Sequence, residues 1–317
     1  MPPLKKIDYL PFLESCWQEH LAPKPDNAPT VISTFAGCGG SSLGYSMAGF
    51  RELLAVEWDN NAVETFQLNF PDVPVYHGDI VKLPAEKVLE ITGLEPGELD
   101  ILDGSPPCQG FSTAGKREFS DVRNQLAFEF IRLLRGLRPK VFVMENVSGM
   151  VKGIMKLTFA EILKEFRASG YKVSVRLLNA MYFNVPQSRQ RLIFIGVRDD
   201  LGIEPSHPEA ESRPIGIREI VGADASRSMK INPWIYHPRS AATITKTDTD
   251  YTLLYGNEIK KPTIDQIKIL ASYHKDFLFI RDAWARIGNS VPPLFMRSIA
   301  CHIYKNILDK IPCPPAT

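Results

Sequence analysis

Cys108 stands in GSPPCQGFS (104–112), directly behind two consecutive prolines. Proline fixes φ and stiffens the chain, so the sulfur that follows has a set direction. A lone cysteine is ordinarily a small buried hydrophobe, and Cys16, Cys38, Cys301 and Cys313 are read that way. Cys108 differs because LDILD, which predicts a strand, ends just ahead of its prolines. Strand ends are where open α/β sheets collect ligands and chemistry. A sulfur held there acts as a nucleophile when nearby positive charge favours its thiolate. ENV (145–147) ends another apolar run, which should bring Glu145 beside Cys108. An acid ending a buried strand is rarely structural unless it is paired. QSRQR (187–191) brings Arg189 and Arg191 towards the same edge, where either could pair with Glu145.

A second constellation suits a nucleotide-like ligand. FAGCGG (Phe35, Ala36, Gly37, Cys38, Gly39, Gly40) follows one predicted strand and opens a predicted helix. Glycines let such a loop turn sharply and approach a ligand, and a helix N-terminus presents free N–H groups. About twenty residues on, Glu57 ends the next strand, where an acid accepts hydrogen bonds from ribose hydroxyls. Trp58 follows and could stack on a purine. Asp79, in VYHGDI, could accept from an adenine amino group, with Ile80 covering the ring. Register alone does not separate a dinucleotide from an adenosyl ligand.

These residues need a frame. Val31–Phe35, Leu53–Val56, Leu99–Leu102 and Val141–Met144 read as buried strands, with helices expected over 41–48, 60–69, 124–137 and 156–169. The alternation predicts an α/β fold with a doubly wound, mostly parallel sheet. Lys172–Leu178 and Arg191–Val197 could close it as an antiparallel pair. Residues 8–21 predict a short amphipathic helix ended by the Pro-rich stretch 23–29. From 199 to about 286 no periodicity is clear, which predicts a small, loop-rich second region, and helix returns between 291 and 311.

Composition narrows the setting less than the motifs do. A net charge of +1 neither indicates nor excludes a nucleic-acid partner, because local fields matter more than totals. Five scattered cysteines without a CxxC pair fit a reducing compartment, and no metal is expected from their spacing. No signal peptide or membrane-length apolar window is visible, so a cytoplasmic protein without membrane contact is expected.

Taken in order, FAGCGG, EWD, GDI, GSPPCQGFS, ENV, QSRQR and GNSVPP (288–293) resemble the motifs of cytosine-5 DNA methyltransferases of the Dcm-like, restriction-modification type. The resemblance runs from about Val31 to Leu308. It implies a Rossmann-like methyltransferase domain over 30–198 after an N-terminal extension (1–29). A small target-recognition domain (199–286) and a C-terminal segment returning to the catalytic domain (287–317) would follow. It further implies S-adenosyl-L-methionine as donor, S-adenosyl-L-homocysteine as product, and double-stranded DNA as substrate.

By the same resemblance, Cys108 adds to carbon 6 of cytosine, Glu145 holds ring nitrogen 3 and the exocyclic amine, Arg191 bonds oxygen 2, and Arg189 supports that loop. Pro107 and Leu126 join Phe35–Gly40, Glu57, Trp58, Asp79, Ile80, Asn289 and Ser290 around the donor. Gln109 and Ser112 belong to a catalytic loop, 109–121, in which Ser112, Lys116 and Arg117 could hold phosphates. The target base must be flipped out of the duplex to be reached. A monomer acting at the bacterial nucleoid, with a cognate restriction endonuclease as possible partner, completes the expectation.

Two departures stand out. The family usually has Asp two residues before the motif's Phe; here it is Ser33, so a polar contact beneath the loop is absent or made differently. RSAATIT (239–245) resembles the segment after the recognition region, which leaves only about 199–238 to read sequence. Residues 225–247 contain no acid but carry Arg227, Lys230, Trp234, Tyr236, His237, Arg239 and Lys246, a composition suited to phosphates and bases. So few side chains predict a short or degenerate site. The alternative, a transfer-RNA cytosine-5 methyltransferase of the same superfamily, is disfavoured. GSPPCQGFS lacks that branch's PFT-type ending, and no Cys-Phe-Thr triplet occurs in 199–287.

Overall fold

The computed structural model describes residues 4–107, 122–153, 155–225, 240–247 and 251–311. The chain runs through α1 (Tyr9–Leu21), β1 (Thr30–Thr34), α2 (Gly40–Met47), β2 (Arg51–Glu57), α3 (Asn60–Asn69), β3 (Val75–His77), α4 (Ala85–Thr92) and β4 (Ile101–Gly104). It continues with α5 (Val122–Leu137), β5 (Val141–Val147), α6 (Met155–Ala168), β6 (Tyr171–Asn179) and β7 (Gln190–Arg198). After these come α7 (Arg218–Val221), β8 (Asp224–Ala225), β9 (Leu253–Tyr255), β10 (Glu258–Lys260), α8 (Ile264–Leu270), α9 (Ala283–Asn289) and α10 (Pro293–Asn306).

Among the described residues the main sheet has seven strands in the order β3-β2-β1-β4-β5-β7-β6. The pairs from β3 to β5 are parallel, and β7 runs against both of its neighbours. The expected antiparallel pair therefore forms with β7 inserted between β5 and β6. Strand order reverses between β1 and β4, which opens a crevice at their C-terminal ends.

Strand side chains alternate between two cores, as a period of two requires. Val141, Val143, Ile193 and Ile195 join the side carrying α1, α2, α8 and α10; Phe142, Met144, Leu192 and Phe194 join the side carrying α4, α5 and α6. Gly196 is opposite Phe142, and a Cβ there would sit 1.9 Å from its ring. Phe142 uses that space to stack on Phe166 at 4.2 Å.

The N-terminal helix is docked against the core. Tyr9, Leu13, Cys16 and Trp17 are buried, Trp17 stacks on His274, and Glu14 Oε2 lies 2.8 Å from His274 Nε2. Beyond β7 the described residues up to α9 are mostly loop, as expected, with a few short elements. β8, β9 and β10 form a small three-stranded sheet, and Leu253 of β9 joins the same core as α8 and the segment after it, which enter through Ile267, Leu270, Tyr273 and Phe277. α8 starts at a capping box, with Thr263 accepting from Gln266 N–H and the Gln266 side chain returning to Thr263 N–H.

Candidate functional site

At the C-terminal edge of β5, Glu145 Oε1 lies 2.5 Å from Arg191 Nε, with both side chains largely buried. Antiparallel register places Val147 opposite Arg191, so an arginine at the start of β7 reaches the end of β5. The neighbouring Asn146 donates through Nδ2 to Pro106 O at 3.2 Å. Its Oδ1 accepts from Val147 N–H at 2.8 Å. Asn146 thus ties the acid-bearing strand to the prolines that precede Cys108. It lay inside a motif read for its acid alone, and its own part emerges only from the crossing.

Arg189 does not face the same space. It is 3% exposed and donates to Ile244 O (2.9 Å) and Gly288 O (3.0 Å). One guanidinium thereby joins the QSRQR loop, the segment after the recognition region and the GNS motif. Burial pushes Arg189 down to about 9, helped by Arg191 and opposed by Glu145. Gln187 reinforces the joint, accepting from Ile244 N–H at 3.1 Å.

The glycine loop leaves β1 through Phe35 at φ 55 and Gly37 at φ 57. Its glycines separate into kinds. A Cβ at Gly37 would meet nothing within 4 Å; one at Gly39 would meet Phe70 at 2.5 Å, and one at Gly40 the Val291 carbonyl at 2.5 Å. Gly37 faces open space, and the other two make room for packing. Cys38 turns inward, its Sγ 3.4 Å from Tyr273 Oη, and burial pushes its thiol up to about 11. The Ala36 N–H donates to Val56 O at 3.1 Å.

Glu57, expected to accept from ribose, accepts from three main-chain N–H groups: Gly37 (2.7 Å), Trp58 (2.8 Å) and Asp59 (2.9 Å). Its carboxylate shapes the loop. Trp58 stands 76% exposed beside a cavity of about 450 Å³ lined also by Asp59, Asn60, Asn61, Asp282 and Arg286. Asp59 caps α3 and pairs with Arg286 of α9 at 3.0 Å, a crossing that no local pattern announced.

Asp79 is exposed and accepts from Val81 N–H at 3.0 Å. Ile80 is buried in the second core, which leaves little of it to cover a ring. Leu126 is half-buried against that core. Pro107 and Asn289 are exposed, and Ser290 Oγ donates to Ile287 O at 2.9 Å. Cys108, Gln109, Ser112, Lys116, Arg117, Arg227, Lys230 and Arg239 lie outside the described residues. Among the described residues no group of three or more metal-binding side chains occurs, and no helix is long and apolar enough to cross a membrane.

Comparison with known proteins agrees with this frame. The family described as C-5 cytosine-specific DNA methylase matches residues 29–276. The Type II methyltransferase M1.HphI of Haemophilus parahaemolyticus is 32% identical, with 87% of each chain covered. M.NgoPII of Neisseria gonorrhoeae is 29% identical, over 91% of this chain and 99% of its own. In fold, the chain resembles a candidate DNA modification methyltransferase encoded within an E. coli prophage, with TM-score 0.71 and 23% identity; 89% of this chain and all of that one are covered. Sheet order and crevice together define a Rossmann-like fold. The chain belongs to the C-5 cytosine-specific DNA methylase family and is a DNA cytosine-5 methyltransferase of the restriction-modification type.

Proposed function

We propose that the chain methylates carbon 5 of a flipped-out cytosine in double-stranded DNA through a covalent Cys108 adduct, with S-adenosyl-L-methionine as donor. The observation that carries this reading is the buried Glu145–Arg191 pair, held by Asn146 beside the prolines that lead to Cys108. The acid and the guanidinium offer the acceptor and donor faces that cytosine's ring edge needs. Carbon 5 is a poor nucleophile until the Cys108 thiolate adds at carbon 6 and makes the ring an enamine. Glu145 would hold or protonate nitrogen 3 as charge builds there, and Arg191 would bond oxygen 2. Once carbon 5 carries the methyl group, water removes the carbon 5 proton and the thiolate leaves carbon 6, restoring the aromatic ring.

The donor supplies an electrophilic methyl group on a sulfonium sulfur. Residues present fit such a group: Gly37 leaves open space, Glu57 anchors the loop through the Gly37 N–H, and Trp58 exposes a ring face beside the cavity. Phe35, Ala36, Asp79, Pro107, Leu126, Asn289 and Ser290 would complete its surroundings, with Cys38, Gly39, Gly40 and Ile80 packed behind them. Gln109 and Ser112 would act in the catalytic loop.

Lys116, Arg117, Arg227, Lys230 and Arg239 would contact DNA, at a short or degenerate site. We divide the chain into an extension (1–29), a catalytic domain (30–198), a recognition region (199–286) and a returning segment (287–317), although Ile217, Ala223, Ala241, Leu253 and Ile267 of the recognition region share the catalytic core. The protein would act as a cytoplasmic monomer, with a cognate endonuclease as partner. Bisulfite sequencing of naive DNA after incubation with labelled donor, beside Cys108→Ser, tests the reading. Methyl transfer undiminished in that variant would refute it.

A further inference from the structure

A second cluster of ionisable groups lies beneath the donor loop and has no part in the chemistry above. Asp103, 2% exposed, stands in β4, the strand that leads to Cys108. Its register partner in β1 is Ser33, so both side chains leave the same face of the sheet. That face is covered by α2. Tyr45 of α2 donates its hydroxyl to Asp103 Oδ1 at 3.1 Å, and Ser41 bonds the same carboxyl group. Ser42 lies between Ser33 Oγ (3.4 Å) and Glu52 Oε1 (3.0 Å). The acid missing at position 33 is therefore matched by a carboxyl group directly across the register.

We propose that Asp103 is a positioning residue for methyl transfer: its carboxyl group, bonded by Tyr45 and Ser41, locks the helix behind the donor loop onto the strand that leads to Cys108. The proposal rests on the donor-loop reading above. α2 begins at Gly40, so whatever fixes α2 against β4 also fixes where the loop before it lies. The groups facing Asp103 are Tyr45 and Ser41 on α2, Glu52 on β2 and Glu145 on β5. Burial first, and then the two neighbouring acids, hold Asp103 well above the usual carboxylate range. Its carboxyl group accepts from Tyr45, and in the protonated form that burial favours it also donates its own O–H. An asparagine amide can do both; a leucine can do neither.

The test measures S-adenosyl-L-homocysteine binding to the full chain by calorimetry, beside steady-state kinetics on DNA. Wild type is compared with Asp103→Asn, Asp103→Leu and Tyr45→Phe. Asp103→Asn should keep the donor KM and the homocysteine-product affinity within about twofold. Asp103→Leu and Tyr45→Phe should weaken both about tenfold, the scale of one lost buried hydrogen bond, with kcat at saturating donor much less affected. If Asp103→Leu does not fold, Tyr45→Phe still decides. Full affinity in Tyr45→Phe, or an asparagine variant as weak as the leucine one, overturns the proposal. Failure of the wild type to bind the homocysteine product would instead overturn the donor-loop reading beneath it.

Discussion

Glu145 and Arg191 make a pair whose partners are both withdrawn from water, so a base entering between them replaces one set of charged hydrogen bonds by another. Removing one member leaves the other buried and unpaired, the costlier of the two ways to disturb such a pair. Glu145→Gln should therefore lower kcat by roughly 10²-fold or more while changing DNA affinity little, read in single-turnover methylation assays. Arg189 belongs to a different class of arginine. It bonds two carbonyls from distant segments, a fork that lysine cannot reproduce. Arg189→Lys should cost about 1–3 kcal/mol of stability, seen as a lower denaturation midpoint, before any catalytic effect is considered.

Glycines on either side of the α2 start do opposite work. Gly37 carries a positive φ and open surroundings, so Gly37→Ala strains the backbone by about 1–2 kcal/mol and should weaken donor binding. Gly44 is where α10 crosses α2, and a Cβ there would stand 2.5 Å from Pro293 O. Gly44→Ala should force the helices apart and cost roughly 1–3 kcal/mol in thermal melts. β2 adds a pH effect. Burial pushes Glu52 up to about 7 against an ordinary 4.5. A raised folded value means the protonated form is the stable one. The group's contribution is whole below pH 4.5 and is lost as pH rises through about 7. Glu52→Gln should leave stability unchanged at pH 4.5 and raise it above pH 7 by up to a few kcal/mol, on the order set by that shift, measured by melts across pH.

Across the whole molecule, the C-terminal helices pack back onto the first half of the chain. α10 packs on α2, α9 brings Arg286 to Asp59, and Gly288 receives Arg189. One consequence concerns length. With α8 and the segment after it committed to the core, little chain is left to read base edges, and a methylome map should show a short or degenerate site. Modification confined to a fully specified six-base-pair sequence would contradict that.

The amino-acid sequence alone determined the class of chemistry and the frame that serves it. Cys108 behind its prolines, Glu145 at a strand end and the Phe35–Gly40 loop are local signals, written within a few residues each. The parallel strands β1, β2, β4 and β5 were legible because buried parallel strands need continuous apolar runs. α8 and its capping box were equally legible at Thr263 and Gln266 but lay in a stretch without apolar periodicity. Other features were decided only by tertiary structure: Glu57 bonded to its own loop, Arg189 turned to two carbonyls, Asp59 met by Arg286, and an acid at 103 standing across from Ser33. Apart from the bonds of Glu57 to its neighbours Trp58 and Asp59, each joins segments far apart in the chain. Hydrogen bonds and ion pairs of that kind follow from where strands register and helices cross, which no local pattern of residues encodes.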